Sequence, residues 1–165
     1  MSSSYFHPFP ILDTQRLRLR ALCIADDRAI FAFRSNEEVG RYLSRPLETS
    51  VAGCRIFIDN INEGIRKEEW LYWGIALSDN QIIGTICLWN LSLKDRCAEI
   101  GYELHPDFQK KGLMQEAIEA VLQYAFTTME FQRIEAYLLT GNLASIRLLE
   151  RNGFTFLKKV GDEEK

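Results

Sequence analysis

Apolar positions recur every three or four residues along one stretch of this chain, directly after a turn that contains a glycine. They are Met114, Ala117, Ile118, Val121, Leu122, Ala125 and Phe126. This spacing predicts a helix of about three turns with one buried face. Before the turn the period changes to two, since Ile100, Tyr102 and Leu104 alternate with Glu99, Gly101 and Glu103. The alternation predicts a strand whose two sets of side chains lie on opposite faces of a sheet.

The rest of the chain predicts further elements in the order β-α-α-β-β-β-α-β-α-β. The predicted strands cover residues 16–22, 70–77, 81–91, 97–104, 133–140 and 154–160, and the predicted helices cover 25–35, 51–68, the stretch after residue 112, and 144–151. This order indicates one α/β domain of the α+β kind over residues 1–165, a mixed central sheet with helices on both faces. The strands at 97–104 and 133–140 should be parallel and joined by a right-handed crossover.

The turn at residues 110–114 joins a strand to the start of a helix, where free backbone N–H groups and the positive end of the helix dipole converge. A phosphate or pyrophosphate could bind there without a dedicated side chain. The alternative is an ordinary solvated helix start behind Gln109, Lys110 and Lys111. The three-glycine dinucleotide fingerprint and the Gly-Lys-Ser/Thr phosphate loop are both absent, which makes those two nucleotide classes unlikely partners.

Composition narrows the class of protein further. The chain has 165 residues, of which 47% are hydrophobic and 12% aromatic, enough for the core of one domain. The net charge is −3 and the basic residues are spread along the chain, so no direct nucleic acid partner is expected.

The cysteines and histidines suggest neither a metal site nor a disulfide framework. Cys23, Cys54, Cys87 and Cys97 lack Cys-x-x-Cys spacing, and His7 and His105 are far apart in sequence. Reduced cysteines in a cytoplasmic protein are the simpler interpretation. The start MSSSYFHPFP shows no signal-peptide pattern, and no apolar stretch approaches the roughly 20 residues of a membrane span, so a soluble intracellular protein is expected.

Three segments together resemble the GNAT superfamily of N-acetyltransferases, within the branch that includes ribosomal-protein alanine N-acetyltransferases. FPILDTQRLRLRAL at residues 9–22 resembles the first strand of that branch, IGYELHPDFQKKGLMQEA its acetyl-CoA motif, and NLASIRLLERNGF its closing helix. The resemblance frames almost the whole chain. It implies acetyl transfer from acetyl-CoA to an amine, with the cosubstrate wedged between the strands at 97–104 and 133–140.

The resemblance also implies which residues bind acetyl-CoA. The superfamily motif Gln/Arg-x-x-Gly-x-Gly/Ala corresponds here to Gln109, Lys110, Lys111, Gly112, Leu113 and Met114. The amides from 110 to 114 would hold the pyrophosphate, main chain at 103–105, including Leu104 and His105, would pair with the pantetheine arm, and Asn142 would bond the pantetheine or thioester end. Met114 replaces the usual small residue, but its flexible thioether can turn into the core.

Two residues are candidates for the chemistry. Glu103 lies beside the implied thioester-binding main chain and is the first candidate base, the alternative being a solvated strand carboxylate. Ser145 matches a polar residue of the branch that donates to the thiolate, although a serine in the first turn of a helix is also a good cap. The tyrosine acid of many superfamily members is absent, because Leu149 occupies its position. Tyr102 is interpreted as a packing residue.

A protein N-terminal amine is the leading acceptor. Its pKa near 8 makes deprotonation at pH 7 cost about 1 to 1.5 kcal/mol, against roughly 4 to 5 for lysine. Two alternatives stay open: transfer to a small-molecule amine or antibiotic, and a non-catalytic acyl-CoA-binding domain.

The branch normally adds a strand after the one at 154–160, and only five polar residues, 161–165, follow it here. Either the chain is shortened, or a second subunit covers the edge in a homodimer. Glu163 or Glu164 could approach the acceptor site.

Overall fold

Six strands and five helices form the part of the chain that the structure, a computed structural model, describes: residues 5–43 and 45–160. The strands are β1 (Leu12–Asp13), β2 (Arg18–Arg20), β3 (Leu71–Ala76), β4 (Ile82–Ser92), β5 (Cys97–Leu104) and β6 (Arg133–Glu135). The helices are α1 (Asp27–Arg34), α2 (Glu37–Gly40), α3 (Val51–Arg66), α4 (Leu113–Gln123) and α5 (Leu143–Arg151). A π-helical turn at Tyr124–Thr128 extends α4. Glu163 and Glu164 lie outside the described residues.

The strands form one mixed sheet in the order β1-β2-β3-β4-β5-β6. Every neighbouring pair is antiparallel except β5 and β6, which are parallel. The predicted mixed α/β domain and its one parallel strand pair are therefore confirmed. β5 has the same bounds as the prediction because its alternating pattern coincides with a strand that has one core face.

Helices cover both faces of the sheet and enclose two separate hydrophobic clusters. On one face, α4 packs its Ile118 and Val121 against Trp73 and Ile100 of the strands. On the other face, Ile30, Phe33 and Ile58 of α1 and α3 form a smaller cluster with Ile82. The β5 residues Ile100 and Leu104 belong to the α4 face, so Gly101 and Glu103 turn toward α1 and α3.

The N-terminus of α4 is fixed by a contact with the start of the chain. The Arg16 guanidinium donates to Glu116 Oε1 at 2.9 Å and to the Lys111 carbonyl at 3.0 Å, and the Arg16 amide donates to Glu116 Oε2 at 2.9 Å. Thr14 also donates to Glu116. Glu116 lies in the first turn of α4, where a carboxylate is favoured by the helix dipole. These bonds tie the turn at 110–112 and the first turn of α4 to the start of the chain.

Two predicted strands need correction. The strand expected at 133–140 ends at Glu135, because the chain leaves the edge of β5 after that residue, and Tyr137 and Leu139 are exposed. Residues 154–160 form no strand, although the prediction placed one there. A strand is stable only beside a partner, and no described residue pairs with this segment. The short elements β1 and α2 were not predicted.

Candidate active site

An opening between β5 and β6 is the central feature of the site. The two strands pair at Cys97↔Arg133, Ala98↔Ile134 and Glu99↔Glu135, and β5 then continues to Leu104 without a strand on that side among the described residues. Main-chain groups of alternate residues point to opposite neighbours. Because the His105 N–H donates to Ile83 of β4 at 2.8 Å, the main chain of Tyr102 and Leu104 faces the opening.

Beyond the end of β5, the helix start at 110–114 provides a second polar feature. Gly112 has a φ of +77°, a left-handed conformation that glycine adopts at little cost. Lys110 also has a positive φ of 63°. A Cβ at Gly112 would lie 3.4 Å from an Arg16 guanidinium nitrogen, so the main chain, the helix dipole and at least this one cation lie together. Free N–H groups and positive charge of this kind favour the binding of an anion.

The side chains of the predicted cofactor motif have different environments. Leu113 and Met114 are buried in the α4 core, so each has only its amide to offer a ligand. Gln109 donates its side-chain N–H to the Leu104 carbonyl at 2.9 Å.

His105 has no main-chain group directed at the opening. Its carbonyl accepts from the Phe108 N–H at 3.0 Å, its Nδ1 accepts from the Asp107 N–H at 3.1 Å, and its own N–H bonds to β4. The main-chain role that the resemblance implied for His105 is therefore better matched by Tyr102 and Leu104.

The N-terminus of α5 brings a hydroxyl pair to the site. Asn142 caps the helix, accepting from the Ser145 amide at 3.3 Å. The Tyr102 hydroxyl donates to Ser145 Oγ at 3.1 Å, which leaves the Ser145 proton free for another acceptor. Burial raises the pKa of Tyr102, with the Ser145 bond opposing it, so the phenol stays protonated. Tyr102 was missed as a site residue because nothing in the sequence links positions 102 and 145.

A cavity of about 290 Å³ lies on the face of β5 that is turned away from α4, between the sheet and helices α1 and α3. It is lined by Arg34, Leu43, Arg45, Phe57, Ile61, Tyr72, Thr85, Cys87, Gly101, Tyr102 and Glu103. Burial raises the pKa of the Cys87 thiol to about 12 and raises that of Tyr72 as well, so both groups are neutral near pH 7. A Cβ on Gly101 would meet Cys87 Sγ at 3.3 Å, and its absence keeps this part of the cavity open.

Glu103, the predicted base, is the charged centre of that cavity. Its Oε1 accepts from Arg34 at 2.7 Å and its Oε2 accepts from Arg45 at 2.8 Å. Arg34 also stacks on Phe57, with its guanidinium carbon 3.8 Å from the ring centroid. Only 7% of the Glu103 side chain is exposed. The sequence did not reveal either arginine as a partner, since they lie 69 and 58 positions away.

Glu99 lies two residues before Gly101 on the same face of β5, at the last paired position before the opening. It is half-buried, and none of the described residues gives its carboxylate a hydrogen bond or ion pair. Burial, and then the neighbouring Glu135 carboxylate, raise the pKa of Glu99. The sequence pattern placed it correctly on this face but gave it no role.

Within residues 5–43 and 45–160, no set of three or more His, Cys, Asp or Glu side chains is arranged to hold a metal ion. The same ranges contain no helix with the length and apolar character to cross a membrane. All four cysteines are free thiols.

Comparison with known proteins agrees with the fold. The family model described as acetyltransferase (GNAT) domain matches residues 16–155, and the chain therefore belongs to the GNAT family of N-acetyltransferases. It is 40% identical over 147 residues to the "Uncharacterized N-acetyltransferase YoaA" of Bacillus subtilis, covering 88% of this chain and 83% of YoaA.

Two further similarities concern ribosomal proteins. The "Putative ribosomal N-acetyltransferase YdaF" of Bacillus subtilis is 37% identical over 86 residues, which cover 52% of this chain and 47% of YdaF. The solved structure of RimL, a ribosomal L7/L12 alpha-N-protein acetyltransferase in complex with coenzyme A, superposes with a TM-score of 0.79 at 21% identity. That match covers 88% of this chain and 84% of RimL and shows a shared fold.

Proposed function

We propose that this acetyltransferase acetylates the α-amine of a protein N-terminus, using acetyl-CoA that binds in the opening between β5 and β6. The observation that carries the proposal is the open edge of β5, bounded by the helix start at 110–114 and by Ser145. The printed names of YdaF and RimL, which refer to ribosomal proteins, support an acceptor of this class.

Acetyl-CoA would be held mainly by main-chain groups. The pantetheine amides would pair with Tyr102 and Leu104, with Gln109 orienting the Leu104 carbonyl. The amides from 110 to 114 would bind the pyrophosphate, assisted by the cations of Lys110 and Lys111. Asn142, at the start of α5, would contact the pantetheine near the thioester. Acetyl-CoA supplies the activated acetyl group, and the remaining steps belong to the protein.

Ser145 is proposed to stabilise the leaving thiolate. Because Tyr102 donates to Ser145 Oγ, the Ser145 hydroxyl can direct its own proton at the sulfur as charge develops. This pair replaces the tyrosine acid that is absent at Leu149. The acceptor amine would approach from the cavity face, and Glu103, which the sequence predicts as the base, lies on that face.

The charges around the cavity distinguish between acceptor classes. Arg34 and Arg45 are balanced by Glu103 and by Glu48, whose Oε1 lies 3.8 Å from Arg34 Nε. A polyamine or aminoglycoside carries several ammonium groups and needs an excess of negative charge to bind. A peptide N-terminus carries one amine that is easily deprotonated. The balanced cavity therefore favours the peptide.

The test measures acetyl-CoA binding by calorimetry, then thiol release with three acceptors: N-terminal peptides, the same peptides blocked at the α-amine but containing lysine, and spermidine. We expect binding, and release only with the free N-terminal peptides. Release with spermidine alone would replace the peptide with a small-molecule acceptor. Binding without any release would support the alternative of a CoA-binding domain, and no binding would contradict the site.

We further infer that the protein works in the cytoplasm, where its four free thiols would stay reduced. The proposed homodimer would be tested by sedimentation.

A further inference from the structure

Arg34 brings a buried hydrogen-bond donor to the wall of the cavity. Among the side chains of residues 5–43 and 45–160, its Nε is the one buried nitrogen or oxygen without a hydrogen bond. The Glu48 carboxylate lies 3.8 Å from this nitrogen, which is too far for a hydrogen bond. Buried donors in native proteins nearly always have a partner, so an unmet donor in a cavity wall indicates an oxygen of a ligand.

Arg45, the second guanidinium of the cavity, differs from Arg34 because all three of its nitrogens already donate. Its Nε and Nη2 donate to Glu103 Oε2 at 3.2 and 2.8 Å, and its Nη1 donates to the carbonyls of Arg34 and Pro46 at 3.1 and 3.3 Å. Arg34 donates from Nη1 to Glu103 Oε1, and the Phe57 ring lies against its face. These contacts orient the Arg34 guanidinium and leave its Nε for a ligand to meet.

We propose that Arg34 selects the first residue of the acceptor peptide, by donating its Nε–H to an uncharged hydroxyl or amide oxygen in the side chain of that residue. The inference rests on the proposed acceptor, a peptide N-terminus. The cavity adjoins the proposed thioester site, because Gly101 and Tyr102 line it and Tyr102 also bonds to Ser145. An amine at the thioester would therefore bring the neighbouring side chain to the cavity. The volume of about 290 Å³ is at the lower end of ligand pockets, roughly 300 to 1,000 Å³, as expected for one small side chain.

The charges around the cavity disfavour the other classes of side chain. A lysine side chain carries only donors and cannot accept from the Arg34 Nε–H. A carboxylate would lie near Glu48 and Glu103, which already balance the two guanidinium groups. An aliphatic side chain would displace water from the cavity and leave the Nε–H buried without an acceptor. A hydroxyl or amide oxygen satisfies the donor and adds no charge.

The experiment measures kcat/KM of the wild type for peptides that are identical except for the first residue, which is threonine, valine, aspartate or lysine. Threonine and valine have nearly the same shape and differ by the hydroxyl, so this pair isolates the proposed bond. We expect kcat/KM to be about 10- to 100-fold higher for the threonine peptide than for the valine peptide, and the aspartate and lysine peptides to be poor acceptors. Equal values for threonine and valine would overturn the assignment.

Two matched variants separate this bond from a general disturbance of the cavity. Arg34→Lys keeps a positive charge beside Glu103 but loses the guanidinium Nε–H, so the ratio of kcat/KM between the threonine and valine peptides should fall to about one. Arg45→Lys disturbs the same carboxylate and should keep the wild-type ratio. Loss of the ratio in both variants would contradict a specific role of Arg34. Acetyl-CoA affinity, measured by calorimetry, should stay at the wild-type value and show that both variants are folded.

A second measurement needs no turnover. The Arg34 Nε–H proton, assigned by its loss in Arg34→Lys, is followed by NMR in the presence of coenzyme A and a saturating peptide. We expect the threonine peptide to slow exchange of this proton with solvent at least about tenfold relative to the valine peptide, and equal exchange would count against the bond. Acetylation of spermidine without acetylation of any peptide would overturn the proposed function together with this assignment. Acetylation of the threonine and valine peptides at equal rates would overturn this assignment alone.

Discussion

The two edges of β5 carry the same hydrogen-bonding groups but have very different neighbours. Along one edge, β4 pairs with the strand from Cys97 to Leu104, apart from one irregularity near Trp89. Along the other edge, β6 pairs with only the first three residues. The paired edge gives stability, whereas the unpaired edge leaves main-chain donors and acceptors that a flexible amide-rich ligand can satisfy.

The difference shows how this fold builds a binding site without a specialised loop. An unpaired strand edge in a soluble protein normally invites unwanted pairing. Here the edge is short, and residues 105–112 lead from it to a helix start that favours anions. A ligand that carries both amides and phosphates can pair its amides with the unpaired edge of β5 and place its phosphates at the helix start.

The largest expected effect is on the open side. Gly112→Asp would place a carboxylate beside the bound pyrophosphate and force a side chain into a φ of +77°. We expect acetyl-CoA affinity to fall by roughly 1,000-fold, about 4 kcal/mol, in calorimetry. Gly112→Ala carries the same backbone strain without the charge and should lose much less affinity. Equal losses in the two variants would remove the anion site from the explanation.

On the paired side, Gly84→Ala should disrupt folding. The new Cβ would lie 2.4 Å from the Glu103 carbonyl oxygen, so the β4–β5 pair would have to separate. We expect a loss of about 3 kcal/mol in the free energy of unfolding, measured by urea denaturation. Gly141→Ala, whose Cβ would meet only Tyr42 at 3.6 Å, is the matched control and should be nearly neutral. A stable Gly84→Ala variant would mean that this edge is more tolerant than its spacing indicates.

The contribution of α5 to the open side is tested by Ser145→Ala. Loss of the hydroxyl should lower kcat by about 100-fold, since the developing thiolate loses its donor, while acetyl-CoA affinity should change little. Tyr102→Phe removes only the bond that orients Ser145 and should lower kcat about tenfold. Steady-state kinetics on both variants would check this order, and an unchanged kcat in Ser145→Ala would remove the serine from the proposed chemistry.

Hydrogen exchange compares the two edges directly. The Tyr102 and Leu104 amides should exchange faster than those of Gly101 and Glu103 in the free protein, because they face no strand. Saturating acetyl-CoA should slow Tyr102 and Leu104 by at least about tenfold and leave the other two nearly unchanged. Exchange can be followed by NMR at single residues. Equal protection at all four amides before the ligand is added would show that the edge is not open in solution.

The smallest expected effect is on Glu99, the last residue of β5 that pairs with β6. The raised pKa of Glu99 means that the folded state binds a proton at this carboxylate more tightly than the unfolded state does. The contribution of Glu99 to stability is therefore present at low pH and is lost as pH rises through the folded pKa. Glu99→Gln should therefore stabilise the protein at pH 7 by up to about 1 kcal/mol and have no effect below about pH 4. Thermal unfolding at both pH values checks the sign.

Local patterns predicted the elements whose identity depends on their own residues. The alternation through Ile100 and Leu104 gave the bounds of β5, and the spacing around Ile118 gave α4. The apolar segment after Glu135 misled the prediction, because strand formation depends on a neighbour that diverges there. The strand predicted at 154–160 was wrong for the same reason, because no neighbouring strand pairs with this segment among the described residues.

In the candidate site too, features that are local in sequence were predicted, and contacts between distant residues were not. The Gly112 turn was visible because it is local in sequence. The contacts of Glu103 with Arg34 and Arg45, and of Tyr102 with Ser145, join residues more than 40 positions apart. No spacing rule links these residues. The sequence therefore left Glu103 as a plausible base and gave no sign of the two guanidinium groups that bind its carboxylate oxygens.

The contact between Arg16 and the α4 start ties the order of the proposed phosphate turn to a segment 95 to 100 positions earlier in the chain. Bringing such distant segments together is costly in chain entropy, so we expect the turn to become ordered when the first strands dock. We therefore expect the segment around Arg16 and the turn to open and close as one cooperative unit. Acetyl-CoA should accordingly slow proteolysis near Arg16, although the ligand itself binds at the opposite end of that contact.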